Sequence, residues 1–454
     1  MSEVVAAPAS FRQALQQYYD RRLLFIFILG CSSGFPWVLI GSAMSGWLKD
    51  ADLSRAAIGY FGSVTAVYAF NFLWAPLVDR TRWPLLYQQL GQRRSWILMM
   101  QSLMVMLTFA IAYTNPAHSL LWTSLLALLI GLFAATMDVA IDGYRIDIIG
   151  QDAAKLPAAA AMGVAGWWTG YSLPGYFAFH YADLIGWPTV YLGLAFMLAL
   201  LAVITLLIKE PISNRDILQQ KAAERYQQSL QHPAMLWLLV TVVEPFAEFF
   251  RRNGLWLSVS LILFILIFKL GEAFLGRMSI QFYREIGFSN EQIAEYSKLI
   301  GWGATMAFTL LGSLLNVRFG VIKGLMLGGI TMAGSNLMFA WIAQVGPDEN
   351  LLLWTILLDN FTTAFSIVAF VAFLTSFTGV AFSASQYALL ASIGNFARTS
   401  MASFGGALVD KLDGNWTLFF FITSLMVIPA LLLLLLIVKM LKKRQTEHPG
   451  QQPL

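Results

Sequence analysis

The sequence predicts an all-α polytopic membrane protein of twelve transmembrane helices arranged as two six-helix bundles. Of 454 residues, 58% are hydrophobic and 12% charged, roughly half the charge of an ordinary globular chain. Mean hydropathy is +0.66, and apolar residues recur in blocks of about twenty, the length that crosses a hydrocarbon core as a helix. The longest polar interruption, Lys209 to Gly254, falls halfway along the chain.

Taken in order, the chain begins with "MSEVVAAPASFRQALQQYYDRR". It has no apolar core, so it is not a cleaved signal, and its second half reads as a short amphipathic helix at the membrane surface. Spans follow at roughly 23–47, 56–78, 95–113, 119–144, 157–180, 187–208, 255–279, 293–316, 321–343, 351–376, 385–409 and 415–438. Placing both termini in the cytoplasm puts 21 of the 29 Lys and Arg residues on inner segments. The outer loops then hold only Lys49, Arg55, Arg284 and Lys411, as the positive-inside rule requires. Residues 1–208 form the first bundle with its leader, 209–254 a cytoplasmic linker, 255–438 the second bundle, and 439–454 a disordered basic tail.

The halves repeat. "ADLSRAAIGYFGS" follows the first span and "IGFSNEQIAEYSK" the seventh; a shift of 235 residues brings Ser54 onto Ser289 and Ile58 onto Ile293. Ser289 and Gln292 form a capping box that opens the eighth span. "APLVDRTR…GQRRSW" follows the second span and the weaker "SLLNVRFGVIKG" the eighth. Two parallel six-span repeats are the signature of the major facilitator fold, with a binding cavity between the halves near the midplane.

Charges inside the spans mark candidate sites, because a carboxylate at a helix centre costs on the order of 2.5–3.5 kcal/mol. "FAATMDVAIDGYRIDII" in the fourth span carries Asp138, Asp142, Arg145 and Asp147. At 100° per residue the first three share a face and Asp147 points elsewhere. Asp138 is the deepest and is read as a proton carrier or a substrate contact. Asp142, Arg145 and Asp147 are read as a cytoplasmic gate network with Asp79 and Arg80. In the seventh span, Lys269 and Glu272 stand one turn apart. They either neutralise each other or exchange pairing for protonation during transport. Asp359 and Asn360 occupy the tenth span, the counterpart of Asp138's span. Arg398 would hold a ligand anion or lock its helix to a carbonyl. Gly30, Gly34 and Pro36 interrupt the first span, and Gly166 and Gly170 the fifth, permitting close helix contact. Trp167, with Trp168 beside it, could stack on a sugar ring; Asp138, Lys269, Asp359, Asn360, Trp167, Arg398 and Gln386 are the substrate-binding candidates, Lys269 and Arg398 compensating the charge of an anionic solute.

Other function classes find little support. Cys31 is the only cysteine and the four histidines are scattered, so neither a disulfide nor a metal site is expected. Without a Gly-rich phosphate loop the chain is not ATP-driven by itself. No cofactor, nucleic-acid partner or covalent chemistry is expected, and the pI of about 9.0 reflects topology.

"GCSSGFPWVLIGSAMSGWL", "FNFLWAPLVDR", "GQRRSWIL", "MDVAIDGYRIDII", "KLGEAF" and "FSASQYALLASI" together resemble the AmpG muropeptide permeases, from the first span to the twelfth. The resemblance implies proton-coupled import of anhydro-muropeptides (N-acetylglucosaminyl-1,6-anhydro-muramic acid, with or without its peptide) from periplasm to cytoplasm. It further implies a bacterial inner-membrane location, cell-wall recycling, β-lactamase induction and function as a monomer. Asp138 and Glu272 would then couple protons. The family's fourth-span motif commonly reads Ser/Thr-Gln-Asp, whereas here it is Thr136-Met137-Asp138, which loses an amide that could contact sugar. A siderophore or acyl-conjugate permease on the same scaffold is the alternative, and a transport-silent membrane receptor a more distant one.

Overall fold

A computed structural model describes residues 11–53, 61–150, 152–211, 215–227, 233–289, 292, 296, 300–402 and 404–447. Eight helices are long and apolar enough to cross a membrane: Arg21–Asp50, Gln92–Ala112, Leu120–Ile149, Leu156–Leu207, Leu255–Ile286, Val321–Val345, Glu349–Ser376 and Trp416–Arg444. Leu156–Leu207 serves as two spans, because Gly186 at φ 77 breaks the helix two residues before Pro188. With residues 61–80, Gly301–Phe319 and Ser383–Ala402, the described residues supply twelve spans. The second span is cut into 3-10 turns at Gly62–Ala66 and Asn71–Leu73 before the α-helix Ala75–Arg80, whose Pro76 cannot donate to the turn before it.

The interruption at Pro36 falls where the sequence places it, whereas the break in the seventh span, read as continuous over 255–279, does not. Just after Pro36 the first span passes through a π-helical turn, Val38–Ser42, the usual accommodation for a proline inside a helix. The seventh span stops at Ile267 and restarts at Leu270, with Lys269 at the joint. The capping box forms: Gln292 N donates to Ser289 Oγ at 3.1 Å and Ser289 N to Gln292 Oε1 at 2.8 Å. Ser54, Ile58 and Ile293 lie outside the described residues.

The chain between the halves is itself helical, at Arg215–Gln227, Pro233–Leu238 and Glu244–Asn253. The last helix runs to Glu447, where the sequence predicts a disordered tail from residue 439. Its extra turns have something to hold, since Arg444 donates to the carbonyls of Arg252 and Asn253.

First and fifth spans touch backbone to backbone. A Cβ on Gly34 would stand 2.0 Å from Trp167 O, and one on Gly170 2.0 Å from Cys31 O; Gly30 and Gly166 are nearly as tight. The glycines thus make a seam that no side chain could enter.

One apolar cluster joins the halves on the basic face, where both described chain ends lie. Leu23, Ile26, Ile146 and Leu156 pack there with Leu261, Val368, Phe373 and Tyr387. Toward the opposite face, Phe274, Phe282, Phe339 and Phe420 form a cluster belonging to the second half alone. The leader helix Phe11–Gln16 packs beside the eighth span. Tyr18 Oη donates to Ser313 Oγ at 2.5 Å, and Ser313 in turn donates to Pro157 O at 3.0 Å. Asp20 caps the first span by accepting from Arg22 N, and pairs with Arg22 at 2.7 Å and Lys155 at 2.5 Å. The Arg22 guanidinium beside it, with help from Lys155, holds the Asp20 carboxyl well below the usual carboxylate range.

Two outcomes follow from this packing. Gly170→Val should lower the melting temperature in detergent, at a cost of about 1–3 kcal/mol or more for forcing the seam apart. Gly334→Ala, with open space around its Cβ, should leave that temperature unchanged or slightly raised. For Asp20, a depressed folded pKa stabilises above the unfolded value of about 3.9 and is lost as pH falls from there through the folded one. The melting difference between the protein and Asp20→Asn should therefore hold from pH 7 to about 4 and shrink only below that.

Candidate functional site

On the basic face, three charges meet with no exposed surface. Arg93 Nη2 donates to Asp79 Oδ1 and Arg93 Nε to Asp147 Oδ2, both at 2.8 Å, with all three side chains at 0% exposure. The eleventh span closes the arrangement from the other half. Its Ser383 hydroxyl accepts from Arg93 at 2.9 Å and donates to Asp147 at 2.7 Å. Ser385 donates to Asp79 through its backbone N–H at 2.8 Å and through its hydroxyl. Carboxylates at the start of a helix are favoured by its unsatisfied N–H groups and dipole. Gln219 of the linker spans the same junction, donating to Asp79 O at 3.4 Å and Ala381 O at 2.7 Å.

This differs from the single network expected of Asp79, Arg80, Asp142, Arg145 and Asp147. Arg80 turns away to Thr241 Oγ1 at 3.2 Å, and Arg93 takes its place. Asp142 and Arg145 make a separate pair at 3.0 Å, with the Arg145 guanidinium 4.8 Å from the Tyr387 ring centroid. Helix phase explains the split, because Asp147 lies about 140° around the helix from Asp142. Arg93 was visible in "GQRRSW", but there it weighs only as a basic residue near a loop.

Deeper in the first half, Asp138 is partly open, yet its Oδ1 is buried without a hydrogen-bond partner. Ser33 is within reach of its carboxyl. Beside it stands an aromatic wall. Trp37 meets Tyr68 at 4.8 Å and Trp167 at 6.2 Å between ring centroids, and Trp167 stacks on Tyr171 at 5.5 Å. Trp168 packs edge-on against Trp167 at 5.2 Å. The Tyr68 hydroxyl is also buried without a hydrogen-bond partner. Of this wall the sequence indicates Trp167 and Trp168; Trp37, Tyr68 and Tyr171 are lost among 64 aromatic residues whose facing a single sequence does not give.

In the second half the break in the seventh span presents Lys269 to Glu272, with which it pairs, and to Ser366 Oγ at 2.7 Å. Asp359 accepts from Ser335 at 3.2 Å and lies within electrostatic reach of Glu272 and Lys269. Asn360 accepts from Thr305 at 2.6 Å and donates to Ile356 O at 2.8 Å. Arg398 is exposed and within electrostatic reach of Lys269; among the described residues it makes no hydrogen bond or ion pair. Gln386 stands apart from all of these. It is fully buried, accepting from Gly379 N and Arg252 and donating to Pro245 O and Glu248. Both ends of its amide are thus occupied, which leaves it nothing to offer a ligand in this arrangement.

Arg93→Met would remove the cation that lies between Asp79 and Asp147. A stability loss of about 3–5 kcal/mol is expected, read from thermal unfolding in detergent. Adding Asp79→Asn to that variant should recover part of the loss.

A sequence model of the Major Facilitator Superfamily matches residues 26–299. The chain is 31% identical to "Putative transporter AmpG 4" of Rickettsia conorii, over 89% of this chain and 93% of that one. It is 29% identical to the anhydromuropeptide permease of Escherichia coli K12, over 90% of this chain and 78% of that one. Among solved structures, the proton:xylose symporter XylE bound to 6-bromo-6-deoxy-D-glucose superposes with a TM-score of 0.64 at 14% identity, covering 90% of this chain and 94% of that one.

Proposed function

The chain belongs to the Major Facilitator Superfamily and to its AmpG-type transporters, and on that footing we propose that it imports anhydro-muropeptides together with protons. Its relatives include a permease named for that solute. The observation that carries the proposal is Asp138: a half-buried residue whose carboxyl oxygen Oδ1 is buried without a hydrogen-bond partner, set beside an aromatic wall in the middle of a membrane helix. Burial of such an oxygen is unfavourable unless a ligand, water or proton completes it.

In this reading the basic face is cytoplasmic, in a bacterial inner membrane. The halves are residues 1–208 and 255–438, and the chain between them acts as a strap across the cytoplasmic mouth. Arg93, Asp79, Asp147 and the Ser383–Ser385 turn form the inner gate. While they are closed, solute enters from the periplasm. Asp138 and Glu272 take up protons in that state, which lets the loaded halves rock; release of Glu272 to Lys269 in the other state returns the charge balance. Asp359 and Asn360 face the solute from the tenth span. A potential of about 150 mV supplies on the order of 3.5 kcal/mol for each charge moved. One net charge per cycle, which is two protons with a mono-anionic sugar acid, would then sustain a few-hundred-fold gradient, at about 1.4 kcal/mol per decade.

The test is uptake into proteoliposomes of anhydro-disaccharide, with and without peptide, under an imposed proton gradient. The protein should concentrate the solute. Asp138→Asn and Glu272→Gln should each abolish that accumulation while retaining exchange between labelled and unlabelled solute. Wild-type accumulation by both variants would rule these carboxylates out as the coupling sites.

A further inference from the structure

We propose that the solute lies across the two halves in one fixed sense, with a sugar ring on the Trp37–Tyr68–Trp167 wall of the first half and its carboxylate on Arg398 of the second. The proposal rests on the reading above that the solute is a sugar acid.

The two half-sites offer opposite chemistries. The wall presents three rings within 6.2 Å of one another in sequence, a surface for the apolar C–H face of a pyranose. At its edge are two buried polar atoms without hydrogen-bond partners, Tyr68 Oη and Asp138 Oδ1. Buried polar atoms are nearly always satisfied. A tyrosine hydroxyl both donates and accepts, and an unprotonated carboxyl oxygen accepts whether or not its partner oxygen carries a proton, so one ring hydroxyl can satisfy both. The cations inside the first half, Arg93 and Arg145, are already held by carboxylates.

The second half offers the reverse. Lys269 is taken by Glu272 and Ser366. Arg398 is exposed and, among the described residues, has no acid beside it. A guanidinium cannot shed its charge, and a ligand carboxylate is the partner its fork suits best.

Helix geometry sets the two parts at similar depth on adjoining spans of the two halves. Ser392 Oγ of the eleventh span donates to Asn71 Oδ1 of the second at 2.8 Å. The second span runs toward the basic face and the eleventh away from it. At about 1.5–2 Å per residue, Tyr68 lies about 5 Å beyond that contact and Arg398 about 9 Å beyond it, both away from the basic face. Arg398 is also eleven residues past Tyr387, three turns and within about 20° on the same helix face. Tyr387 meets Arg145 and lies within electrostatic reach of Asp138, so that face looks toward the first half.

The experiment measures binding by calorimetry to the full chain in nanodiscs. The probes are N-acetylglucosaminyl-1,6-anhydro-N-acetylmuramic acid, with its lactyl carboxylate, and the corresponding carboxamide. Arg398→Gln should weaken the acid about ten- to hundredfold, as for a charged hydrogen bond, and change the carboxamide less than twofold. Arg398→Lys should restore part of the preference for the acid. Tyr68→Phe should weaken both ligands alike, by about tenfold. Melting curves establish that each variant is folded; if Arg398→Gln is not, the Arg398→Lys preference decides. Equal loss of acid and carboxamide in Arg398→Gln, no residual acid preference in Arg398→Lys, or no loss in Tyr68→Phe overturns the proposal while the solute stands. A wild-type protein that binds neither probe overturns the proposal and the solute assignment together.

Discussion

Arg93, wholly enclosed between Asp79 and Asp147, is the interaction on which the rest of the structure depends. Charges removed from water are tolerable only when every one has a partner, and here the partners come from three spans of one half and the helix start of the other. The same triad therefore holds the second, third and fourth spans in register and fastens the two bundles at one face. As the inner gate proposed above, the triad would act as a two-state element, intact or broken as a unit, because its cost and its gain are both large. Alternation between access states requires such an element, and a continuously yielding contact would not supply it.

Away from that face the polar groups are arranged differently. Asp138 Oδ1 and Tyr68 Oη lack partners, while Lys269 is shared between Glu272 and a serine. A fully satisfied network locks a structure, and an incompletely satisfied one is where a ligand or proton gains the most by arriving. On the basic face both acids of the triad are paired although Arg93 Nη1 is buried without a hydrogen-bond partner, whereas in the centre an acid oxygen, Asp138 Oδ1, and the Tyr68 hydroxyl are the atoms left without one.

The sequence made much of this legible, for physical reasons. Hydrocarbon permits only helices of a certain length, so the spans stand out in composition, and Gly30, Gly34, Gly166 and Gly170 announce a close crossing because side chains would exclude it. Helix phase separated Asp147 from Asp138 and Asp142. It could not say which cation Asp147 would meet: Arg93 and Arg80 are equally plausible from the chain alone, since partner choice is settled by packing between distant segments. Gln386 shows the same limit. Its amide reads as a ligand group, but the neighbouring linker, with Pro245 and Glu248, occupies it. The helix from Lys439 to Glu447 was hidden because polar residues there are held by carbonyls of another segment.

The glycine seam has a mechanical corollary. Spans pressed together main chain to main chain cannot shear without breaking contact along their length, so the first and fifth travel as one plank. Trp37 rides on one and Trp167 on the other, and the platform they build keeps its shape whichever way the carrier faces. A compound that recognised only this platform would bind both orientations equally and bias neither. Holding the proposed carrier in one orientation then calls for a molecule that reaches past the platform to the opposite half.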